Sequence, residues 1–195
     1  MRLLTRILQV TFALALVSAV ALWFGARRGD RGFIVEEVTI ARPAAAVFRW
    51  ISSEELARRW ISDVVELRKG DDSGAGQGAG NFKLVQMVNG HRVDLNLRVA
   101  RVVPNQELTL LVSSGEPAAG GFSGDANFKL IAGDDYTRLV FTSHTQFVRL
   151  GDRIFEPVLT FATQRKIRGD LAKLKLLMEA EQEKRVTPHA TSLSR

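Results

Sequence analysis

Residues 39–60 read TIARPAAAVFRWISSEELARRW, and this stretch has the strongest signal for the fold. It overlaps the end of residues 33–40 (FIVEEVTI), an apolar and β-branched run of the kind that predicts a strand. Pro43 follows at once and is well placed to open a helix, because its fixed φ suits the first helical position. The chain is therefore predicted to open with a strand that leads directly into a helix.

Two short helices are predicted in the rest of this stretch. Ser52 and Glu55 form a capping-box pattern, so the second helix is predicted to begin at Ser52. Apolar residues recur at helical spacing on both sides of this cap. They are Val47, Phe48, Ile51, Leu56 and Trp60.

The middle of the chain has the pattern of an antiparallel sheet. Residues 92–99 alternate between apolar and polar, which is typical of a sheet with one covered face and one solvated face. Asn89-Gly90 is a two-residue hairpin signal between two such runs. The predicted strands are residues 61–69, 82–88, 91–103, 107–113, 122–131 and 137–147. The glycine-rich run 70–80 is predicted to be a hairpin loop, because it lacks the Lys-Ser/Thr ending of a phosphate-binding loop.

The last predicted element is a long amphipathic helix that ends near Arg185. Asp152 is predicted to cap this helix, and Pro157 to start a new helix or to kink this one. Its apolar positions are Ile154, Val158, Phe161, Ile167, Leu171, Leu174 and Met178. The polar residues 186–195 are predicted to be a disordered tail.

The first 31 residues form a separate segment. No charged residue occurs from Ile7 to Ala26, and about twenty helical residues span roughly 30 Å, the thickness of the hydrocarbon core of a bilayer. We therefore expect residues 1–31 to be a single-pass N-terminal membrane anchor. A signal peptide cleaved at Ala19-Val20-Ala21 is the alternative. Arginines on both sides of the run leave the side of the membrane open.

Charge and composition narrow the class of partner. The chain has 27 basic and 21 acidic residues, a formal net charge of +6. Five arginines and one aspartate in residues 1–31 account for +4 of this excess, which leaves +2 for the rest. Such a distribution fits contact with anionic lipid head groups, whereas a nucleic-acid binder needs a basic stripe along its domain. There is no cysteine, which excludes disulfides and thiolate zinc sites.

These elements make an α+β domain, and two motifs give it a family resemblance. The opening motif, residues 39–60, resembles the start of the domain of the START-related SRPBCC, or helix-grip, superfamily. The closing motif, residues 170–181 (DLAKLKLLMEAE), resembles the end of that domain in the polyketide cyclase/dehydrase branch. The resemblance implies a curved antiparallel sheet of about seven strands wrapped round the long C-terminal helix, in a domain of residues 32–185. It also implies an apolar cavity for lipids, polyketides or other hydrophobic molecules.

The cavity lining is predicted from inward-facing strand positions, from the second short helix and from the long C-terminal helix. The predicted residues are Trp60, Phe82, Leu84, Gln86, Val93, Leu95, Leu97, Leu110, Phe128, Phe141, Ser143, Thr145, Val158 and Phe161. Gln86, Ser143 and Thr145 are predicted to orient a ligand, because a buried polar group without a partner costs about 1–3 kcal/mol. The three histidines share no metal-ligand spacing, so no catalytic residue, metal site or cofactor is predicted.

Three functions remain open at this point. The leading hypothesis is a non-catalytic, membrane-tethered module that holds a hydrophobic small molecule or lipid. The first alternative is a protein-interaction module that uses the exposed sheet face or the basic N-terminal stem. The second alternative, an enzyme of the polyketide cyclase/dehydratase type, rests on the resemblance alone.

Overall fold

A computed structural model describes residues 32–70, 80–88, 90–114, 121–147 and 150–186. The predicted anchor in residues 1–31 lies outside these ranges, as do residues 71–79 of the predicted loop and residues 187–195 of the predicted tail. Among the helices that are described, none is both long and apolar enough to cross a membrane.

The described residues form seven strands and three helices. The strands are β1 (Phe33–Ile40), β2 (Val64–Lys69), β3 (Asn81–Val88), β4 (His91–Val103), β5 (Glu107–Ser114), β6 (Phe122–Ala132) and β7 (Thr137–Phe147). The helices are α1 (Ala44–Ser52), α2 (Glu54–Trp60) and α3 (Leu150–Val186). This element order confirms the predicted α+β class.

All seven strands belong to one curved antiparallel sheet, as predicted. Its spatial order is β1-β7-β6-β5-β4-β3-β2, so the first and the last strands of the chain pair with each other. In the β3–β4 hairpin Val88 lies opposite His91, which leaves two residues for the turn, and Gly90 has a φ of 79°. A positive φ is what a tight two-residue hairpin requires, and glycine adopts it without strain.

The main hydrophobic core lies between the inner face of the sheet, the two short helices and the second half of α3. Helix α1 buries Val47, Trp50 and Ile51, which lie on one side at helical spacing. Helix α3 contributes Leu174 and Met178, which are almost fully buried. The C-terminal helix therefore closes the domain, as the family resemblance implies.

The boundary predicted between the two short helices is wrong by one residue. Ser53, not Ser52, is the N-cap of α2, since its side chain accepts the backbone N–H of Leu56 at 3.5 Å. Ser52 still belongs to α1, and its hydroxyl donates to the carbonyl of Phe48 at 2.7 Å. An N-cap residue needs a non-helical backbone, which Ser53 has with φ −92° and ψ 126°, whereas Ser52 is still helical.

Two other element ends differ from the prediction. Strand β2 begins at Val64 rather than at residue 61, because Asp63 has a φ of 61°, a left-handed conformation that a strand does not accommodate. Helix α3 begins at Leu150, before the predicted cap Asp152, and continues through Pro157. Pro157 lies in the second turn, so it removes an early hydrogen bond without ending the helix.

Candidate functional site

The strand register divides the inner face of the sheet into rows of directly paired residues. What we call the packed row consists of Leu108, Phe128, Phe141 and Glu36, on β5, β6, β7 and β1. What we call the open row consists of Phe82, Leu97, Val112, Gly124 and Thr145, on β3 to β7. Every residue of the packed row is buried, whereas every residue of the open row is only partly buried. The inner face is therefore covered along one row and accessible along the other.

The helices cover the packed row, because Trp50, Trp60 and Leu171 share one core cluster with Leu108, Phe128 and Phe141. The principal contacts of α3 are with β1, α2 and β7, so this helix follows one edge of the sheet. Gln164 of α3 donates to Glu36 of β1 at 2.8 Å, and Glu179 accepts the backbone N–H of Ala41 at 3.1 Å. Because the helix is held along β1, it leaves Phe82 of β3 and the inward apolar side chains of β4 partly exposed.

Gly124 lets β6 approach β7 closely in the middle of the open row. A Cβ atom at this position would lie 2.1 Å from the carbonyl oxygen of His144, a distance that real side chains do not reach. The close approach of β6 to β7 therefore requires glycine.

The structure separates eleven of the fourteen predicted lining residues into two sets. Trp60, Leu84, Phe128 and Phe141 are buried. Three of these rings stack edge to face, with centroids 6.3 Å apart for Trp60–Phe128 and 5.0 Å apart for Phe128–Phe141. These four residues fill the core. The partly buried set on the inner face is Phe82, Val93, Leu95, Leu97, Leu110, Ser143 and Thr145, and contact with a ligand stays a prediction for its members.

The three polar residues predicted to orient a ligand differ in availability. The amide nitrogen of Gln86 donates to the carbonyl of Ser62 at 3.4 Å, and the side chain is buried. Gln86 is therefore engaged in holding the turn before β2. Ser143 and Thr145 are partly buried, and no hydrogen bond to any described residue engages either hydroxyl. Of the three, these two hydroxyls are the ones that no described residue engages, so contact with a ligand stays a prediction for them.

The fold does not bury Val158 and Phe161, whose exposed fractions are 67% and 68%, and that they line a cavity stays a prediction. Glu156, in the same half of α3, is buried, and Gln164, two turns later, contacts Glu36 of β1. Helical spacing identified an apolar pattern but did not show which side of the helix would meet the sheet.

Sequence reasoning missed an ionic contact on the inner face. Glu36 is 9% exposed and accepts hydrogen bonds from Arg168, through Nε at 3.0 Å and Nη2 at 2.7 Å. The hydrogen bond from Arg168 is the main cause that holds the pKa of Glu36 below its ordinary value, and burial opposes it. The signal was available in residues 33–40, where Glu36 alternates with Ile34 and Val38 and so must face inward.

A second buried polar cluster attaches α3 to the turn before β2. Asp170 is 2% exposed and accepts the backbone N–H of Ser62 at 2.9 Å and the ammonium of Lys166 at 2.7 Å. The hydroxyl of Ser62 donates to the same carboxylate. Lys166 also donates to the carbonyl of Ser62 at 3.1 Å. Each polar atom of this contact is satisfied within the cluster, so its role is to position the helix.

A groove of about 920 Å³ lies on the opposite, outward face of the sheet. It crosses six strands, and its outward-pointing charged or titratable residues are Arg68, Lys83, Arg98, Asp125 and His144. His144 thus faces outward, as the strand alternation predicts. Phe82, Leu97, Leu111 and Val112 also contribute to its lining, so its walls are mixed, in contrast to the apolar cavity that the resemblance implies. Within the described ranges, no group of His, Asp or Glu side chains is arranged to hold a metal ion.

Comparison with solved structures supports the fold. The aromatase/cyclase Zhui from Streptomyces sp. R1128 is 18% identical, with a TM-score of 0.62, over 75% of this chain and 93% of that chain. A conserved protein from Geobacillus kaustophilus is 15% identical, with a TM-score of 0.61, over 76% and 95%. A protein from Thermus thermophilus is 16% identical, with a TM-score of 0.57, over 76% and 98%. At these identities the likeness shows the fold alone.

The family follows from the sequence match. No curated protein matches the chain significantly. Residues 33–179, which run from the first residue of β1 into the second half of α3, match the family described as "Polyketide cyclase / dehydrase and lipid transport". This match covers most of the chain, and the chain belongs to that family.

Proposed function

We propose that this protein is a membrane-tethered binding module that holds a hydrophobic small molecule or lipid on the concave face of its sheet, without catalysing a reaction on it. The observation that carries this proposal is the open row. Phe82, Leu97 and Val112 present apolar surface that the fold leaves partly uncovered. Burying such surface is favourable by about 25 cal/mol per Å², so an apolar ligand gains affinity there. The family's description includes lipid transport, which supports the same class of ligand.

The chemistry of the inner face favours binding over catalysis. The open row contains apolar residues, a glycine and Thr145. The neighbouring carboxylate, Glu36, is engaged by Arg168 and Gln164, and its pKa is lowered. A general acid that works near neutral pH needs a raised pKa, so Glu36 is unsuited to that role. His144 points away from this face.

The proposed tether rests on composition. Twenty residues without charge, Ile7 to Ala26, precede the domain and are flanked by arginines. A tether would keep the open row close to a supply of hydrophobic molecules. We expect the full-length protein to remain with membranes after a carbonate wash and to retain Met1. A mature N-terminus near Leu22 would instead show a cleaved leader and remove the tether.

The binding proposal is tested by identifying molecules that co-purify with the protein. The full-length protein, purified in mild detergent, is analysed by native mass spectrometry and by solvent extraction. We expect a bound hydrophobic molecule in stoichiometric amount, and competition by an environment-sensitive fatty-acid probe. A protein that carries no such molecule and binds no probe contradicts the proposal.

The outward groove favours a second candidate, a protein-interaction module. Arg68, Lys83 and Arg98 line one end of the groove, and Asp125 lies towards the other. A partner with acidic side chains would complement the basic end. If the open row proves empty, charge reversal at Arg98 combined with affinity capture is the next test, and loss of the captured protein would support this alternative.

A further inference from the structure

The first half of α3 has an inverted arrangement of polar and apolar side chains. Glu156 is 5% exposed, while Val158 and Phe161 are 67% and 68% exposed. A helix of a water-soluble domain normally shows the reverse pattern. Leu159, at 43% exposure, extends this uncovered surface. We call Val158, Leu159 and Phe161 the apolar patch.

Hydrogen bonds define which end of the domain carries the patch. Arg42, just after β1, donates to the carbonyl of Met178, and Glu36, in the middle of β1, accepts from Gln164. Moving back along α3 therefore means moving towards the start of β1. Val158 lies about 9 Å beyond Gln164 along the helix axis, and Gly32 lies about 13 Å beyond Glu36 along the strand. The patch and the start of β1 are at the same end of the domain.

The start of β1 is also where the chain arrives from its uncharged stretch. Gly32 is attached to the sheet, because its carbonyl accepts the backbone N–H of Thr145 at 3.0 Å. Ala26, the last residue of the uncharged run, is six residues earlier. Six residues span at most about 22 Å in any conformation. If that run enters a bilayer, this end of the domain must lie within about 22 Å of its surface.

The charge beside the patch matches an anionic surface. Arg165 lies one turn after Phe161, is exposed, and forms no ion pair with any described residue. Residues 150–168 have four basic and two acidic side chains, whereas residues 169–186 have four of each. Apolar side chains flanked by arginine are what an interfacial helix places at the boundary between head groups and acyl chains.

We propose that the apolar patch docks on the surface of a lipid bilayer that contains anionic lipids, so that the folded domain lies against the membrane rather than free above it. This inference takes its partner from the tether proposed above but does not require a ligand on the open row. The patch is too exposed to be explained by packing within the domain, and the proposed tether would bring a bilayer within reach of this end.

The absence of cysteine allows a direct test. Phe161→Cys and Leu176→Cys each create one labelling site on the same helix. The two positions have the same exposed fraction, 68%, but Leu176 lies at the opposite end of the domain, close to Met178 and Arg42. Each full-length variant is labelled with an environment-sensitive fluorophore and reconstituted into vesicles of phosphatidylcholine, with or without phosphatidylglycerol. Flotation then shows whether the protein is incorporated.

We expect the label at position 161 to shift to shorter wavelength and to be quenched several-fold more strongly by nitroxide-bearing lipid than the label at 176. Arg165→Glu should weaken this quenching, and phosphatidylglycerol should strengthen it. Incorporated protein with equal quenching at both sites overturns the docking proposal and leaves the tether intact. Protein that does not float contradicts both. If the label at 161 is as strongly shielded in the absence of lipid as in its presence, protein covers the patch, and the docking proposal is overturned.

Discussion

Arg168 donates two hydrogen bonds to Glu36, at 2.7 and 3.0 Å, and so joins the C-terminal helix to the first strand across 132 residues of sequence. Gln164 donates to the same carboxylate from one turn earlier. Together these contacts hold α3 along β1, and this position leaves the β3 and β4 part of the open row uncovered by the helix. The accessibility of the inner face thus depends on a polar contact.

This contact predicts a pH dependence of stability. The pKa of Glu36 is lowered in the folded state, so its ionised form stabilises the protein above its unfolded pKa, and that contribution is lost as pH falls through the folded pKa. Glu36→Gln should reduce the free energy of unfolding by about 1–3 kcal/mol at neutral pH, with the difference from wild type shrinking below about pH 4. Urea denaturation at each pH measures this difference. Glu37→Gln is the control, because Glu37 is half-exposed and its ion pair with Arg138 is long, at 3.7 Å. Equal effects of the two substitutions on the free energy of unfolding would refute the prediction.

The cluster around Asp170 predicts a larger loss of stability. Asp170→Asn should lower the free energy of unfolding by roughly 2–4 kcal/mol, because Lys166 and the N–H of Ser62 lose a buried charged partner. Glu54→Gln removes an exposed contact with Arg58, and its cost should stay below about 0.5 kcal/mol. Chemical denaturation of both variants provides the comparison. A loss for Asp170→Asn as small as that for Glu54→Gln would show that the cluster does not position the helix.

The open row predicts that added volume is tolerated there. Leu97→Trp should reduce probe binding several-fold while costing less than about 1 kcal/mol, because the side chain is only partly buried. Leu139→Trp is the matched change in the core, where Leu139 is fully buried, and it should destabilise by about 1–3 kcal/mol or more through overpacking. Probe titration and thermal unfolding are measured on both variants. If Leu97→Trp destabilises as much as Leu139→Trp, the row is packed and the site is absent.

Two glycines predict opposite responses to alanine. At Gly124 a Cβ would meet the carbonyl oxygen of His144 at 2.1 Å, so Gly124→Ala should destabilise by at least about 1–3 kcal/mol. At Gly169, on an exposed side of α3, a Cβ meets nothing within 4 Å, so Gly169→Ala should stabilise by about 0.5–1 kcal/mol. Thermal unfolding of the two variants checks both signs. A neutral Gly124→Ala would mean that β6 and β7 can separate without cost.

The order and type of the elements followed from the sequence. Alternation in residues 92–99 placed Val93, Leu95 and Leu97 on one face, and the register confirms that face as the inner one. Helical spacing likewise identified Leu171 and Leu174, which are buried in the core. These features are local, because side-chain direction repeats every two residues in a strand and about every 3.6 residues in a helix. Local geometry therefore determined which residues share a face.

Only the tertiary structure decided which inner positions are covered and which are accessible. Phe141 and Leu97 have the same strand pattern, yet Phe141 lies in the packed row and Leu97 in the open row. Val158 and Phe161 have the apolar spacing of a buried helix side and are nevertheless exposed. Burial depends on where a second element comes to lie, and α3 is positioned by contacts with Glu36 and Ser62 that join residues more than a hundred positions apart. Periodicity along the chain contains no information about such distant contacts, because their geometry exists only once the sheet and the helix have assembled.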